Sequence, residues 1–451
     1  MTAPVASEPA ERLDTPVARA VDLARVVADG TVDQVEVAWP DQFGHVLGKR
    51  IPARGFLDRA RGPGFAFCDA ALGWNSTGEV IDAVRLSNAG TGYPDAYAVP
   101  DLGTARLLPW RARSVHVIAD VVDHHRHAVR TSPRAVLHRV VERLAALGLR
   151  ARVGVELEFY LLNRDGGLLQ EELQAYSLEK NNALDPALQE IIDTVTGFVP
   201  FEGAHTEYAP SQVEINLHHD DPVTAADDAF RLRYAVREAA SRAGRLASFM
   251  AKPFTDLSGS SGHLHVSLWR GDEPLFAPDH DGEGALTRHA IAGLLRHLPA
   301  IAVFGSPTVN AYKRYAVSSF APTSVSWGGD NRTGAVRSLL ETPDASRIEL
   351  RTPSADANPY WSIAALLAAV VAGVESPAPL PARGSGDLYS REPDLPATLR
   401  DAIDLARADE DIIEILGDDA VHDYTTLVET DWTAFMREVT TWERDRYLRR
   451  R

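Results

Sequence analysis

The sequence predicts an α+β protein of two domains, and three observations point that way. At 451 residues the chain is long for a single core, and its 45% hydrophobic content is enough for two. The first part strings strand-like runs together, whereas the remainder alternates strands with longer helical patterns. Four of the later strands alternate aliphatic residues with Glu, His or Arg, a period-two pattern that buries one face and loads the other with charge.

Taken in order, residues 1–16 lack a basic start followed by an apolar run, so no secretory signal is read there and a loose tail is expected. From Val17 to Val122 a short amphipathic helix precedes strand-like runs at Gln34 to Trp39, Val46 to Ile51, Gly64 to Ala70, Ala105 to Leu108 and Ser114 to Asp120. This predicts a small α+β domain over 17–122. A polar stretch, Asp123 to Arg130, leads to Ser132-Pro133, an N-cap and first-turn proline ahead of the periodic helix Val136 to Leu147. The second domain is read as 131–451.

It runs through the Glu156 strand, a helix over Ala187 to Val195, the Glu214 strand and a long helix from Thr224 to Ala247. The His263 strand, a helix over Leu286 to Val303, the Glu349 strand and a helix after Asn358-Pro359 follow. The alanine-rich run Ile363 to Val374 is too short to span a bilayer and reads as a buried helix. The stretch Ser306 to Ser346 has weak periodicity but carries Asn310, Lys313, Arg314, Asn331, Arg332 and Arg337, which suggests a binding loop. The tail from Asp423 to Arg451 reads as helix, with Trp432 and Trp442 as packing residues.

A net charge of -17 argues against a nucleic-acid surface, which needs clustered Lys and Arg. Cys68 is the sole cysteine, so no intramolecular disulfide is possible. A cytoplasmic setting with no membrane attachment is expected.

The four alternating strands carry the chemistry: Val153 to Phe159 with Glu156 and Glu158, Gln212 to Leu217 with Glu214, Gly262 to Leu268 with His263 and His265, and Arg347 to Arg351 with Glu349. As neighbours they would gather carboxylates, imidazoles and guanidiniums in one cavity. Crowded carboxylates repel unless protonated or bound to cations, and Glu with His suits hard or borderline divalent metals. One such Glu alone would be an ordinary solvated face, but six potential ligands with four arginines would be an odd one. His124, His125 and His127 lack a carboxylate or thiolate partner at ligand spacing and read as solvated.

The motifs Asp41-Gln42-Phe43-Gly44, Gly203-Ala204-His205-Thr206-Glu207, Ser260-Ser261-Gly262-His263-Leu264-His265, Asn310-Ala311-Tyr312-Lys313-Arg314, Asn331-Arg332 and Arg347-Ile348-Glu349-Leu350-Arg351 stand in an order and spacing that resemble the glutamine synthetase superfamily. The resemblance implies an N-terminal β-grasp domain and a catalytic domain with a funnel of antiparallel strands. It also implies a dodecamer of two hexameric rings. The implied reaction phosphorylates the γ-carboxylate of L-glutamate with ATP and displaces phosphate with a nitrogen nucleophile. It assigns Glu158, Glu207 and Glu214 to one Mg2+ or Mn2+ ion, and Glu156, His263 and Glu349 to a second. Arg332 and Arg337 would handle the phosphoryl group, Arg314 and Arg351 would clamp glutamate carboxylates, and the Gly259 backbone would lie beside glutamate. Glu202, His265, Ser267 and Arg337 would contact the nucleotide, and Asp69 would reach a neighbour's site to hold the attacking nitrogen.

The sequence also departs from that family. Phe320 stands where glutamine synthetases place a flap Glu that takes a proton from ammonium, Ser258 replaces an Asn, and Asp344 replaces a nucleotide-contacting lysine. A ring cannot accept a proton; it offers apolar surface or a cation-π face. The changed loop resembles glutamate-amine ligases, relatives that make γ-glutamyl amides of polyamines, ethanolamine or other primary amines, and Trp74 with Phe320 would wall the substituent. The alternatives are a glutamine synthetase using ammonia and an inactive regulatory homologue. Tyr389 lies where some members carry a modified tyrosine, and reads as an ordinary exposed loop residue.

Overall fold

A computed structural model describes residues 21–449, apart from 277, 280, 281, 317, 318 and 341. The expected start at Val17, the tail before it and the last two residues lie outside this set. Within it, two sheets organise the chain. The first is six-stranded, ordered Val46–Pro52, Gln34–Pro40, Ser114–Val122, Asp95–Pro100 and Phe65–Cys68, with Arg106–Leu107 paired to Ser114–Val122. Gln34–Pro40 lies parallel to Ser114–Val122 and antiparallel to Val46–Pro52. Its own apolar cluster includes Val35, Val37, Phe56, Val115 and Val117, with Trp39 stacked on Phe67 at 4.4 Å.

The second sheet has nine strands, ordered Trp327–Gly328, Val336–Leu339, Arg347–Leu350, Gly262–Arg270, Arg150–Leu162, Gln212–Leu217 and Phe201–Thr206; Leu246–Ser248 and Glu273–Pro274 join from the side. Helices Pro133–Ala146, Pro222–Arg242 and Ala285–Gly305 pack against its strands, and Pro359–Glu375 packs against all three helices. Pro359–Glu375 is buried on every side from Pro359 to Gly373, as its alanine-rich run predicted. It crosses Ala285–Gly305 at two glycines: a Cβ on Gly293 would sit 2.3 Å from the Ala369 carbonyl oxygen, and one on Gly373 2.3 Å from that of His289. Only residues without a Cβ allow the helices so near.

The Asp41-Gln42-Phe43-Gly44 loop ties the two sheets together. Asn358 donates to the carbonyls of Asp41 (3.0 Å) and Gln42 (3.1 Å) while its Oδ1 caps the Tyr360 amide, and Trp361 Nε1 donates to Gln42 Oε1 at 2.9 Å. Buried Arg134 adds bonds to Asp101, Asp120 and Asp227.

Several elements differ from expectation. The strands Asp95–Pro100 and Val336–Leu339 were not anticipated, the first because its alanines give weak alternation, the second because it sits in the stretch without clear period. The helix expected to reach Ala247 ends at Arg242, since Gly244 takes φ +74° and the chain re-enters the sheet. The tail splits into Asp418–Arg437 and Thr441–Tyr447, the second started by a Thr440/Glu443 capping box. Trp432 packs on the core, but Trp442 is 56% exposed and is not a packing residue of this chain. Among the described residues no helix is long and apolar enough to cross a membrane.

Candidate active site

Residues that the nine-stranded sheet turns away from its core meet across strand pairs. Glu156 faces His263 on one side and Asn216 on the other; Glu158 and His205 both face Glu214; His265 and Arg337 both face Glu349. Their sequence neighbours Val155, Leu157, Val213, Ile215, Leu264, Val266, Ile348 and Leu350 are buried in the core. Aliphatic alternation therefore fixes register, and register sets which polar groups meet. The product is a cavity of about 640 Å3 lined by Glu156, Glu158, Glu207, Glu214, His263 and Glu349.

Donor-type atoms approach within 4.8 Å of one another in three groups here: Glu156, Glu214 and His263; Glu156, His265 and Glu349; His205, Glu207 and Glu214. His205 had no role in the sequence reading although it lay inside a quoted motif. Its place two residues before Glu207, on a strand paired with Glu214, was the available signal.

The carboxylates differ in charge state. Burial, then repulsion by Glu158, Glu156 and Glu207, pushes Glu214 up to about 9. Burial also raises Glu158, although the Ser261 amide donates to it at 2.8 Å. For Glu156 burial acts upward but is outweighed by His263 and His265, whose ring nitrogens lie 3.3 and 3.1 Å from its oxygens, and the net shift is downward. Glu207 likewise falls against burial, through His205 at 3.1 Å and the Tyr208 amide at 2.9 Å. Glu349 is completely buried; Arg351 and Arg337, the latter at 2.8 Å, overcome burial and hold it down to about 2.

Arg332 and Arg337 line the same cavity, Arg332 with its side chain 58% exposed and Arg337 also bonded to Asp330 at 2.9 Å. Arg351 lines it beside Glu349. Arg314 does not: it is buried behind the wall, donating to Ser261 Oγ (2.8 Å) and the Thr352 carbonyl (3.0 Å). Gly259 lines the cavity in front of it and accepts from Gln212 Nε2 at 3.0 Å. A Cβ on Gly259 would lie 2.5 Å from Arg314 Cγ and 2.7 Å from the Ala251 carbonyl oxygen. Gly259→Ala is therefore expected to lower the melting temperature by several degrees, measured by thermal denaturation.

Three aromatic rings stand at this cavity. Phe320, 51% exposed at φ +56°, meets Tyr208 edge-on at 6.3 Å, and Tyr176, at φ +58°, stacks on His205 at 4.9 Å. Tyr389 is half-buried next to Phe320 and Ser319 with its hydroxyl shielded, so it is not the exposed loop tyrosine the sequence suggested. Asp69 lies in the first sheet's domain, where Ser87 donates to it at 2.6 Å. Trp74 is beside Asp41, and among the described residues neither Asp69 nor Trp74 lines this cavity or the one adjoining it.

A second cavity, of about 540 Å3, adjoins the first and shares Glu156, Asn216, His265 and Arg347 with it. Glu202, Ser267 and Asp344 line this one. Glu202 is 3.4 Å from His218, and the His219 hydrogen bond outweighs burial to lower its pKa. Ser267 Oγ accepts from Trp269 Nε1 at 2.8 Å.

Residues 130–447 match the family of glutamine synthetase catalytic domains. The chain belongs to the glutamine synthetase family. It is 33% identical over 449 residues to the γ-glutamylethanolamide synthetase GlnA4 of Streptomyces coelicolor, with 97% of each chain covered. It is 32% identical over 452 residues to a glutamine synthetase of Rhizobium leguminosarum, covering 95% of this chain and 99% of that one. The solved structure of apo GmaS without ligand superposes with a TM-score of 0.84 at 30% identity, over 95% of this chain and 100% of that chain. The glutamine-synthetase-type fold read from the sequence is thus the fold observed.

Glutamine synthetase family enzymes are ligases that use ATP and divalent metals, and the residues present fit such ions. His263 Nε2 is buried with no hydrogen-bond partner among the described residues, and the Glu214 carboxyl is driven towards its neutral form by burial and then by three carboxylates around it. A cation relieves both, and an oxygen-rich set with imidazole suits a hard or borderline ion.

Proposed function

We propose that this protein is an ATP-dependent glutamate-amine ligase that joins the γ-carboxylate of L-glutamate to a primary amine through γ-glutamyl phosphate. The observation that carries the amine over ammonia is the aromatic rim of the larger cavity. Phe320, Tyr208 and Tyr176 offer apolar surface that the organic substituent of an amine can cover and that ammonia has nothing to fill. The relatives that make γ-glutamyl amides support this reading.

In this proposal ATP occupies the smaller cavity against Glu202, His265 and Ser267, and glutamate the larger. Glu158, Glu207 and Glu214 would hold one Mg2+ or Mn2+ ion, and Glu156, His263 and Glu349 the other. The ions supply charge neutralisation between triphosphate and carboxylate. A γ-carboxylate oxygen attacks the terminal phosphorus and ADP leaves; the neutral amine nitrogen then attacks the acyl carbon, the acyl C–O bond to phosphate breaks, and the departing phosphate takes up the proton that the nitrogen sheds. Arg332 and Arg337 donate to the phosphoryl oxygens in transit. Arg351 faces the glutamate carboxylate, Gly259 lies beside the substrate, and Arg314 supports that wall from behind. We further propose that 17–122 is a β-grasp domain and 131–451 the catalytic domain. In a cytoplasmic dodecamer of two hexameric rings, Asp69 would orient the amine in a neighbouring site and Trp74 would help wall its substituent.

The test is glutamate-dependent phosphate release with a panel of ethanolamine, putrescine, spermidine and aromatic amines against ammonia. At least one amine is expected to exceed ammonia about tenfold in kcat/KM. Robust glutamine formation with no amine-dependent release overturns the amine reading. Absence of γ-glutamyl hydroxamate with hydroxylamine overturns the acyl-phosphate reading.

A further inference from the structure

A third cavity, of about 370 Å3, lies away from both active-site cavities, between the Asp41-Gln42-Phe43-Gly44 loop, the helix Pro222–Arg242 and the C-terminal helix Asp418–Arg437. Two arginines one helical turn apart, Arg233 and Arg237, line it and lie over the same ring, their guanidinium carbons 5.8 and 5.2 Å from the Phe249 centroid. These cation-π contacts leave most of the guanidinium N–H groups unused. Arg233 is only 4% exposed; its Nη1 donates to the Ala357 carbonyl at 2.7 Å, and its buried Nε has no partner. Arg237, at the open side, makes no hydrogen bond or ion pair among the described residues.

Two acids also line this cavity; Asp356 acts on both arginines through its charge, but neither acid forms a hydrogen bond or ion pair with them among the described residues. Asp356 accepts from Thr308 Oγ1 at 2.9 Å and from Ser354 Oγ, and Asp431 accepts from Ser76 Oγ at 2.6 Å. Burial lowers the Arg233 pKa, the adjacent Arg237 charge lowers it further, and Asp356 offsets this only in part. Two neighbouring guanidiniums with free donors, a flat apolar wall and a concave boundary make a receptor for planar or tetrahedral oxyanions.

We propose that this cavity is a second ligand site, for a small metabolite that presents a carboxylate or phosphoryl oxyanion to Arg233 and Arg237. It is independent of the choice between amine and ammonia. The cavity also abuts the substrate wall through the chain. Met250 precedes Ala251, whose carbonyl touches the Gly259 position, and Thr308 precedes the turn that carries Arg314.

Calorimetric titration of the full chain, with ADP present, by inorganic phosphate and separately by succinate tests the proposal in the wild type and in Arg237→Ala. Active-site binding is common to both proteins, so their difference reports this cavity. The wild type is expected to bind one probe at least about tenfold more tightly than the variant, with equal melting temperatures in the absence of probe. The probe that binds identifies the oxyanion. Coincident isotherms for both probes overturn the proposal. So does the absence of density for the bound probe within hydrogen-bond distance of both guanidiniums in wild-type crystals grown with that probe.

Discussion

Glu349→Ala is expected to reduce glutamate- and ATP-dependent hydroxamate formation by at least about 1000-fold, the largest effect of any single substitution in the site. Three causes act together. The carboxylate is a donor in the group with Glu156 and His265, it faces both His265 and Arg337 across the sheet, and it is the shared anion of Arg337 and Arg351. Its removal leaves two poorly exposed guanidiniums without their buried counter-charge, a loss of about 3 to 5 kcal/mol in folding stability. Glu349→Gln separates these effects, since the amide keeps the volume and can still accept from one arginine. It should melt within a few degrees of the wild type yet remain inactive, because a neutral amide cannot supply the anionic ligand that the proposed mechanism requires of Glu349. Activity above about a tenth of wild type in the Gln variant would remove Glu349 from the reaction.

Metal and pH are expected to be coupled, with opposite stability slopes in the presence and absence of divalent ions. Glu214 has its folded pKa raised to about 9 from an ordinary 4.5, so protonation favours the folded state. That contribution is complete below 4.5 and is lost as pH rises through about 9. In EDTA the melting temperature should therefore fall between these limits. Divalent ions bind the ionised form, so with Mg2+ or Mn2+ in excess the decline should flatten or reverse. Near neutral pH, ion binding should expel about one proton from Glu214, read as the dependence of calorimetric heat on buffer ionisation enthalpy. Glu156 and Glu349 are shifted downward, so their contributions fade only as pH falls below 4.5 and leave the window clear. A melting temperature indifferent to both pH and added ion across that window would show that the acidic cluster holds no cation.

Much of this site was legible in the sequence because strands write their two faces in alternate letters. Glu156, Glu158, Glu214, His263 and Glu349 could be placed together since Val155, Ile215, Val266 and Ile348 between them had to face the core. Glu207 and Gly259 lie beyond regular strands and came only through the family resemblance. What stayed hidden was depth. Nothing in a period-two pattern says that Arg314 packs behind Gly259 while Arg351 faces the opening, because Arg314 lies on a short turn between Lys313 and Tyr315, outside any strand, and its depth is set by what the tertiary fold lays over it. The strand Asp95–Pro100 was missed because Ala96 and Ala98 bury fully while contributing little hydrophobic contrast. Trp442 was misjudged because its spacing from Trp432 assumed an unbroken helix, which Thr440 and Glu443 interrupt by starting a new one.

Glu156, Asn216, His265 and Arg347 belong to both active-site cavities at once. These four side chains form a party wall between two adjoining spaces. A change at any one of them therefore reaches both chambers at once, so under the proposed reading a substitution there is expected to weaken nucleotide and amino-acid binding together rather than either alone.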